Sequence, residues 1–166
     1  MQLGTPDICD EYPELVQVAQ PIFHAYGGLK RVEAQVVTLK IDKDNTALRE
    51  LLLQPGEGRL IVVDVSASVC AVIGDMMAEN AVQNGWKGVW VHGYVRDSGL
   101  MQTMPLGVWS LGTYPRRCGE TNPAQKDITL NFADIEITTG DWFYADEDGL
   151  LVSKQSFPKF SKYFES

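Results

Sequence analysis

The sequence predicts an α/β protein, in which strands and helices alternate along the chain. Residues 59–65 and 88–94 are short runs of apolar and β-branched side chains, which are typical of buried strands. Between them, Gly74 interrupts the pattern, residues 76–82 have helical character, and the Asn-Gly pair at 84–85 is a helix stop. Strands joined in this way lie parallel with a right-handed crossover, so the unit predicts a parallel sheet with a helix packed against it.

The flanking segments extend the same pattern. A helix is expected over residues 5–20, because Thr5 and Pro6 form a start signal, and another from Asn45 to residue 53. Further strands are expected at residues 32–41, 108–112, 128–132, 135–139, 142–145 and 150–153, the last after a turn at 148–149. No linker or repeat interrupts the chain, so we expect one domain over residues 1–166.

Asp75 and the pair Arg96-Asp97 are the candidate functional residues. Asp75 is expected to cap the predicted helix, and the pair follows the next strand after twenty intervening residues. The helix runs roughly 15 Å away from the sheet edge at ~1.5 Å per residue, and the strand returns. All three residues are therefore expected at the carboxyl edge, where open α/β sheets bind small ligands. Free N–H groups of Met76 and Met77 would favour an anion there.

Two carboxylates and a guanidinium at one point can hold a divalent metal and a small carboxylate together. Each residue alone has a plainer interpretation, because an Asp at a helix start is usually a cap and an Arg-Asp pair is usually a solvated turn. Their shared position favours a site. Glu79 lies one turn after Asp75 on the same helix face, where it could hold a metal-bound water or remain a solvated carboxylate.

Several segments resemble a known family. They are GDMMAENAVQNGWKGVWVHGYVRD at residues 74–97, ICDEY at 8–12, VVD at 62–64, LGTYPR at 111–116 and GDWFYADEDGLLV at 140–152. The chain resembles the regulators of ribonuclease activity A, the RraA-like family, and within it the class II 4-hydroxy-4-methyl-2-oxoglutarate aldolases. The aldolases resemble one another in a D-x20-R-D pattern, which Asp75, Arg96 and Asp97 satisfy, whereas the enteric regulator has glutamine after its arginine.

The resemblance implies a swivelling β/β/α sandwich that works as a homotrimer and cleaves 2-oxo acids with Mg²⁺ or Mn²⁺. It implies that Asp97 ligates the metal directly and Asp75 through a water, and that Arg96 grips the substrate carboxylate and carbonyl. The backbone from Gly74 through Met76 and Met77 would help to bind the substrate. A further acid would come from a neighbouring subunit, with Asp10 and Glu11 as weakly supported candidates.

Two functions are consistent with these residues. The first is an aldolase that cleaves 4-hydroxy-4-methyl-2-oxoglutarate to pyruvate and also decarboxylates oxaloacetate, since both reactions pass through a pyruvate enolate. The alternative is a noncatalytic regulator that binds a ribonuclease of the RNase E type or an RNA helicase. The intact triplet of Asp75, Arg96 and Asp97 favours the enzyme.

Composition narrows the class of protein. The net charge of −8 argues against direct binding of nucleic acid, which needs a basic surface. No apolar run is long enough to span a membrane, and the acidic N-terminus is unlike a signal peptide, so a cytoplasmic location is expected. Three widely spaced cysteines predict reduced thiols.

Two other segments have open interpretations. Arg116 and Arg117 could meet an anionic substrate or a neighbouring acid, although solvated loop charge is the favoured interpretation. The aromatic side chains of the tail, residues 154–166, have near-helical spacing and are expected to pack in the core or, where exposed, at a subunit interface.

Overall fold

The computed structural model describes residues 1–119 and 123–164. The helices are α1 (Thr5–Glu11), α2 (Thr46–Leu52), α3 (Asp75–Gln83), α4 (Ser98–Met101) and α5 (Pro158–Ser161). The strands are β1 (Val16–Val18), β2 (His24–Ala25), β3 (Val32–Lys40), β4 (Leu60–Asp64), β5 (Gly88–Val95), β6 (Gly107–Thr113), β7 (Gln125–Lys126), β8 (Leu130–Phe132), β9 (Ile135–Ile137), β10 (Trp142–Ala145) and β11 (Leu150–Ser153). Within these ranges, no helix has the length and apolar character needed to cross a membrane.

Four parallel strands form the centre of the large sheet, in the order β3-β4-β5-β6. Strand β4 is buried along its whole length, and β5 is nearly so, as expected for strands covered on both faces. The helices α2, α3 and α4 each connect two successive strands of this set. The predicted parallel strand-helix-strand unit is therefore confirmed.

The molecule has three layers. Side chains of the three connecting helices, including Leu48, Ala78 and Met101, share one core cluster with Val63 and Val91 of the sheet. The opposite face packs against the separate hairpin β8-β9, which supplies a second cluster of buried residues: Leu130, Phe132, Ile135 and Ile137. The arrangement is a small hairpin, a large sheet and a helical layer, so the predicted β/β/α architecture is confirmed.

Antiparallel strands extend both sides of the central sheet. On one side β3 pairs with β10, β10 with β11, and β11 with β1, while on the other side β6 pairs with the two-residue strand β2. The turn before β11 lies where the sequence predicts it, at Asp148 and Gly149. The short strands β1 and β2 were not predicted, because two or three partly exposed residues carry no recognisable period.

The first helix is shorter than predicted. It ends at Glu11 instead of continuing to residue 20, and the chain then turns into β1. Pro13 explains the difference, because a proline removes a backbone donor and disfavours helical geometry in the residue before it.

The tail packs within its own chain. Phe157, Phe160 and Phe164 are each at most 2% exposed and form a cluster with Ile8 and Tyr144. Of the two expectations for the tail, packing in the core is therefore confirmed for these three residues. Their apolar surface is already covered, so it gives no reason for subunits to associate.

Two of the three cysteines are joined. A disulfide links Cys70, just before α3, to Cys118, in the loop after β6, and Cys9 is free. The expectation of reduced thiols is therefore wrong for this pair. Forty-eight residues separate the two cysteines, so their proximity could not be read from the sequence.

Candidate active site

Asp75 and Asp97 meet at the carboxyl edge of the sheet, as predicted. The backbone N–H of Asp75 donates a hydrogen bond to Oδ2 of Asp97 across 3.1 Å. This contact joins the first residue of α3 to the residue that follows β5 and Arg96. The helix dipole favours a negative charge at this end, so the Asp97 carboxylate lies where it is stabilised.

Gly74 makes this close approach feasible. A Cβ atom placed on Gly74 would lie 2.5 Å from Oδ2 of Asp97 and 3.3 Å from Cγ of Arg96. Any larger residue would therefore push the Asp97 carboxylate away from the helix. Gly74 is also the N-cap of α3, whereas the sequence predicted that role for Asp75, which is instead the first helical residue.

Arg96 is held by its backbone and leaves its guanidinium accessible. Its N–H donates to the Ile73 carbonyl across 3.0 Å, and Nη1 lies 3.4 Å from the Pro115 carbonyl. The Nε atom is 3.9 Å from Oδ2 of Asp97, and the side chains of Arg96 and Asp97 are 40% and 36% exposed. A guanidinium beside a carboxylate, with both open to solvent, can bind an anionic ligand and a cation side by side.

Asp97 has an unusual backbone conformation. Its φ of 56° lies in the left-handed region, which a non-glycine residue adopts at some cost, although aspartate tolerates it better than most. Asp97 is also the N-cap of α4, so this conformation turns the chain from β5 into that short helix. The strain lies at the residue that the sequence predicts to be the metal ligand.

The two aspartates and Arg96 border a cleft of about 270 Å³. The cleft contains every residue of the predicted substrate site: Gly74, Asp75, Met76, Met77 and Arg96. Met76 is 74% exposed, whereas the Met77 side chain is buried in the helical-layer core. The expectation of a free N–H at Met76 is wrong, because that group donates to Oδ1 of Asp75 across 2.8 Å.

Six further residues line the cleft: Asn45, Arg49, Ala71, Ile73, Asn80 and Arg117. The sequence assigned none of them to the site, although it left contact with an anionic substrate open for Arg117. Asn45 is the N-cap of α2, Arg49 lies within that helix, and Arg117 follows β6, so segments distant in sequence converge with α3 here. The position of Asn80 four residues after Met76, and so on the same face of α3, was a readable signal, but the convergence of α2 and the Arg117 loop was not.

Glu79 faces a different space. It is exposed and lines a groove between α3 and α4 together with Asp75, Leu100 and Thr103. The cleft that holds Arg96 and Asp97 does not include it. Asp75 borders both spaces, so Glu79 could reach the predicted metal position only from the far side of Asp75, and its role as a water-mediated ligand stays a prediction.

The carboxylate pair fits a hard divalent cation. Mg²⁺ and Mn²⁺ prefer oxygen ligands, and Mg²⁺ is commonly held by one or two carboxylates with several waters retained. Asp75 and Asp97 supply such oxygens on a partly exposed edge. Across residues 1–119 and 123–164, no group of three or more histidine, cysteine or acidic side chains is arranged to hold a metal.

A separate charged cluster lies at the ends of the neighbouring strands. Asp64 is buried and receives hydrogen bonds from Lys40 Nζ at 2.6 Å, and its other carboxylate oxygen lies 2.8 Å from His92 Nδ1. Burial alone would raise the pKa of Asp64, but the hydrogen bonds from His92, Lys40 and the Ser66 backbone outweigh it and lower this pKa to about 2. His92 also stacks on Phe132, so it is a packed residue.

The candidate acids in the first helix lie elsewhere. Glu11 pairs with Lys159 Nζ at 2.5 Å, and Asp10 is exposed on the same helix. The hydrogen bond from Lys159 lowers the pKa of the Glu11 carboxyl. Neither residue lines the cleft of its own chain, so a contribution from either could come only from another subunit.

Comparison with known families identifies the class of protein. The model of the RraA-like family, described as Aldolase/RraA, matches residues 5–152. The chain therefore belongs to the RraA-like family. The family prediction made from the sequence motifs is confirmed.

Relatives in sequence carry an enzyme name. A protein of Alkalilimnicola ehrlichii is 43% identical over 157 residues, covering 94% of this chain and 98% of the relative. A protein of Laribacter hongkongensis is 40% identical over 154 residues, covering 92% and 97%. Both are named "Putative 4-hydroxy-4-methyl-2-oxoglutarate aldolase". The names indicate a lyase in this branch of the family.

Solved structures share the whole fold. One from Geobacillus kaustophilus, described as S-adenosylmethionine: 2-dimethylmenaquinone methyltransferase, has a TM-score of 0.91 and 32% identity, with 95% of this chain and 98% of that chain covered. Another, the RNA-processing inhibitor RraA of Thermus thermophilis, has a TM-score of 0.90 and 33% identity, with 95% and 96% covered. The mixed α/β fold with one large sheet and few helices is that of RraA proteins.

Proposed function

We propose that this protein is a metal-dependent carbon–carbon lyase that cleaves 4-hydroxy-4-methyl-2-oxoglutarate to pyruvate and also decarboxylates oxaloacetate. The observation that carries the proposal is the contact of Asp97 with the first N–H of α3, beside the accessible guanidinium of Arg96. This places two carboxylates and one guanidinium in a cleft that suits a small 2-oxo acid. The names of the sequence relatives support the same activity.

Arg96 has two tasks in this proposal. Its planar guanidinium binds the carboxylate next to the 2-oxo group with paired hydrogen bonds. It also stabilises the negative charge that develops on the adjacent carbonyl oxygen when the carbon–carbon bond breaks. The backbone hydrogen bond of Arg96 to Ile73 fixes its origin, so the guanidinium can be aimed at the substrate with little reorganisation.

The aspartates would hold the cation. Asp97 would be the direct ligand and Asp75 would act through a water, as the resemblance to the aldolases implies, and the 3.1 Å contact brings the two residues together. A bound Mg²⁺ or Mn²⁺ would supply a Lewis acid for the same carbonyl oxygen. The two carboxylates would keep that cation beside Arg96, so positive charge from both would face the substrate.

The activity is testable by coupling pyruvate release to lactate dehydrogenase. With either substrate and Mg²⁺ or Mn²⁺ present, the purified protein should release pyruvate, which lactate dehydrogenase reduces with NADH. EDTA should abolish this NADH consumption. Arg96→Lys keeps the charge but loses the planar fork, so kcat and kcat/KM should both fall at least about tenfold, the scale of one charge-assisted hydrogen bond.

Arg59→Lys is the matched control. Arg59 lies over Trp86 and donates to the Gly56 carbonyl, and it does not line the cleft. Its substitution should leave turnover unchanged. Turnover by the wild-type protein that survives EDTA, or an Arg96→Lys enzyme with full kcat, would refute the proposal.

We also propose that the active form is a homotrimer in which an acid from the next subunit completes the site. The cleft contains two aspartates that are assigned to the cation, and its other lining residues offer no further carboxylate for proton transfer. A site at a sheet edge is open to a neighbouring subunit. Apolar residues beside this edge are exposed, as expected for a surface that another subunit covers.

A second candidate is a noncatalytic regulator that binds a ribonuclease or an RNA helicase. The observation in its favour is the likeness over nearly the whole chain to the Thermus protein described as an RNA-processing inhibitor. An acidic chain of net charge −8 could dock on a basic protein surface. A purified protein with no turnover of either substrate, combined with inhibition of RNase E cleavage in vitro, would favour this candidate.

A further inference from the structure

A disulfide joins two walls of the candidate active site. One wall is formed by residues 70–74, which lead into α3 and contribute three residues to the lining of the cleft. The other wall carries Arg117, which directly precedes Cys118 in the loop after β6. The bond between Cys70 and Cys118 therefore connects two pieces of chain that border the site, although 48 residues separate them in sequence.

One side of residues 70–74 contacts the end of β5. Val72 N–H donates to the Tyr94 carbonyl at 2.9 Å, and the Ile73 carbonyl accepts a hydrogen bond from Arg96 N–H at 3.0 Å. These contacts place Arg96 relative to the start of α3. A shift of this segment would therefore also shift Arg96, which the proposed function places on the substrate.

The other side of the same segment pairs with the loop after β6. Ala71 N–H donates to the Arg116 carbonyl at 2.8 Å, and the Ala71 carbonyl accepts a hydrogen bond from Cys118 N–H at 3.0 Å. The Pro115 carbonyl of this loop lies 3.4 Å from Nη1 of Arg96. The backbone hydrogen bonds and the disulfide together hold the loop against the segment, and the disulfide is the link that a thiol reductant can break.

The disulfide is reached more easily from Cys70 than from Cys118. Cys70 is 8% exposed and follows Val69, which is 60% exposed, whereas Cys118 is 2% exposed. A thiolate of a dithiol protein would attack Sγ of Cys70 and release Cys118 as a thiolate. The second thiol of the reductant would then attack its own sulfur in the mixed disulfide and release Cys70. The reductant is oxidised to a disulfide, and its pair of electrons and two protons leave two thiols on this protein.

We propose that the bond between Cys70 and Cys118 is a redox switch of the active site. The oxidised form holds the two walls in their ligand-binding arrangement, and reduction by a dithiol protein of the thioredoxin class lets the loop open and weakens ligand binding. The inference rests on the proposed function for the identity of the ligand. A cytoplasmic location, expected from the sequence, would expose the bond to such dithiols, and disulfides in that compartment are commonly transient and redox-sensing.

Hydrogen exchange tests the opening without any ligand or turnover. The protein is compared in its oxidised form and after treatment with an excess of reduced thioredoxin, and alkylation followed by mass measurement counts the free thiols. Reduction should speed the exchange of the Ala71 and Cys118 amides several-fold, because the hydrogen bonds that protect them open more often. The amides of β4 should exchange as slowly as before, which shows that the rest of the fold is retained.

Oxalate, a planar analogue of the pyruvate enolate, measures the effect on the site. Calorimetric titration with Mg²⁺ should show that reduction weakens oxalate binding at least about tenfold, the scale on which changes around a metal ligand act. The double variant Cys70→Ala, Cys118→Ala should bind like the reduced protein and should not respond to reductant. Cys9→Ser is the matched control, because Cys9 is the free cysteine on α1 and does not line the cleft, and it should respond like the wild type.

The outcomes separate the switch from the proposed function. A disulfide that stays intact in excess reduced thioredoxin would overturn the switch, and so would equal oxalate affinity before and after reduction, while both results leave the lyase intact. Loss of the redox response in Cys9→Ser would also overturn it, because the free cysteine would then cause the effect. Failure of the oxidised protein to bind oxalate with Mg²⁺ would overturn the proposed function. If the double variant does not fold, the reduced wild-type protein provides the same comparison.

Discussion

At the scale of single residues, the site depends on how closely the start of α3 approaches the residues that follow β5. Gly74 has no side chain, and this lets Asp97 accept the hydrogen bond of the Asp75 N–H. The left-handed backbone of Asp97 aims its carboxylate at the same point. The position of the Asp97 carboxylate beside the start of α3 is set by a few atoms, so small substitutions test whether that position is required.

Gly74→Ala should lower activity strongly while changing the stability of the fold little. The added Cβ would lie 2.5 Å from Oδ2 of Asp97, so the exposed carboxylate must move away and the predicted cation ligand is displaced. We expect turnover to fall by about 10–100-fold, the scale seen when the groups that orient a metal ligand are changed. The coupled pyruvate assay and the apparent affinity for Mg²⁺ measure this.

Gly99→Ala is the control for that experiment. Gly99 lies in α4, two residues beyond Asp97, and a Cβ there meets no atom within 4 Å. Its substitution should leave activity unchanged. Full activity in Gly74→Ala, or equal losses in both variants, would show that the close approach to Asp97 is not required.

At the scale of elements, the sequence predicted those parts that local patterns determine. The strands β4 and β5 and the helix between them were recognisable because their apolar residues have clear periods and the Asn84-Gly85 stop ends the helix. The positions of Asp75, Arg96 and Asp97 followed from that unit alone. Arg49 was not assigned to the cleft, and contact with an anionic substrate was the less favoured interpretation of Arg117, because only long-range packing of α2 and the disulfide-linked loop brings them there.

Asp64, Lys40 and His92 form a charged cluster across three adjacent strands, β3, β4 and β5, and this cluster should make stability depend on pH. The folded pKa of Asp64 is lowered to about 2, below its usual value of 3.8. Such a group stabilises the fold above its unfolded pKa, and this stabilisation is lost as the pH falls through the folded pKa. The shift corresponds to about 2 kcal/mol at neutral pH.

Asp64→Asn should therefore lower the free energy of unfolding by about 2 kcal/mol at pH 7, and the difference from wild type should vanish between pH 4 and pH 2. Urea unfolding across this range measures it. Asp10→Asn, which changes an exposed carboxylate on α1, should leave the curve close to wild type. A deficit in Asp64→Asn that persists at pH 2 would mean that packing, and not charge, causes the effect.

At the scale of the whole molecule, exposed apolar side chains border the site, whereas three aromatic side chains of the tail are buried. Phe157, Phe160 and Phe164 are covered by their own chain, whereas Met76 and Leu100 are 74% and 55% exposed. Met76 lines the cleft with Asp75, and Leu100 lines the adjoining groove with the same aspartate. A subunit that covers these apolar side chains would also bring its own residues to the open edge of the cleft.

Leu100→Glu should therefore dissociate the proposed trimer and reduce activity. A charge placed in a covered apolar contact is costly to desolvate, so the mass from light scattering should fall from three times the 18.4 kDa chain mass towards that of one chain. Turnover should fall with it, because the acid donated by the neighbour is lost.

Leu53→Glu is the matched control, since Leu53 is 56% exposed at the end of α2 and does not line the cleft, and it should keep both mass and activity. A wild-type protein that is fully active as a single 18.4 kDa chain would exclude the shared site. A Leu100→Glu variant that retains the wild-type mass would place the contact elsewhere on the surface.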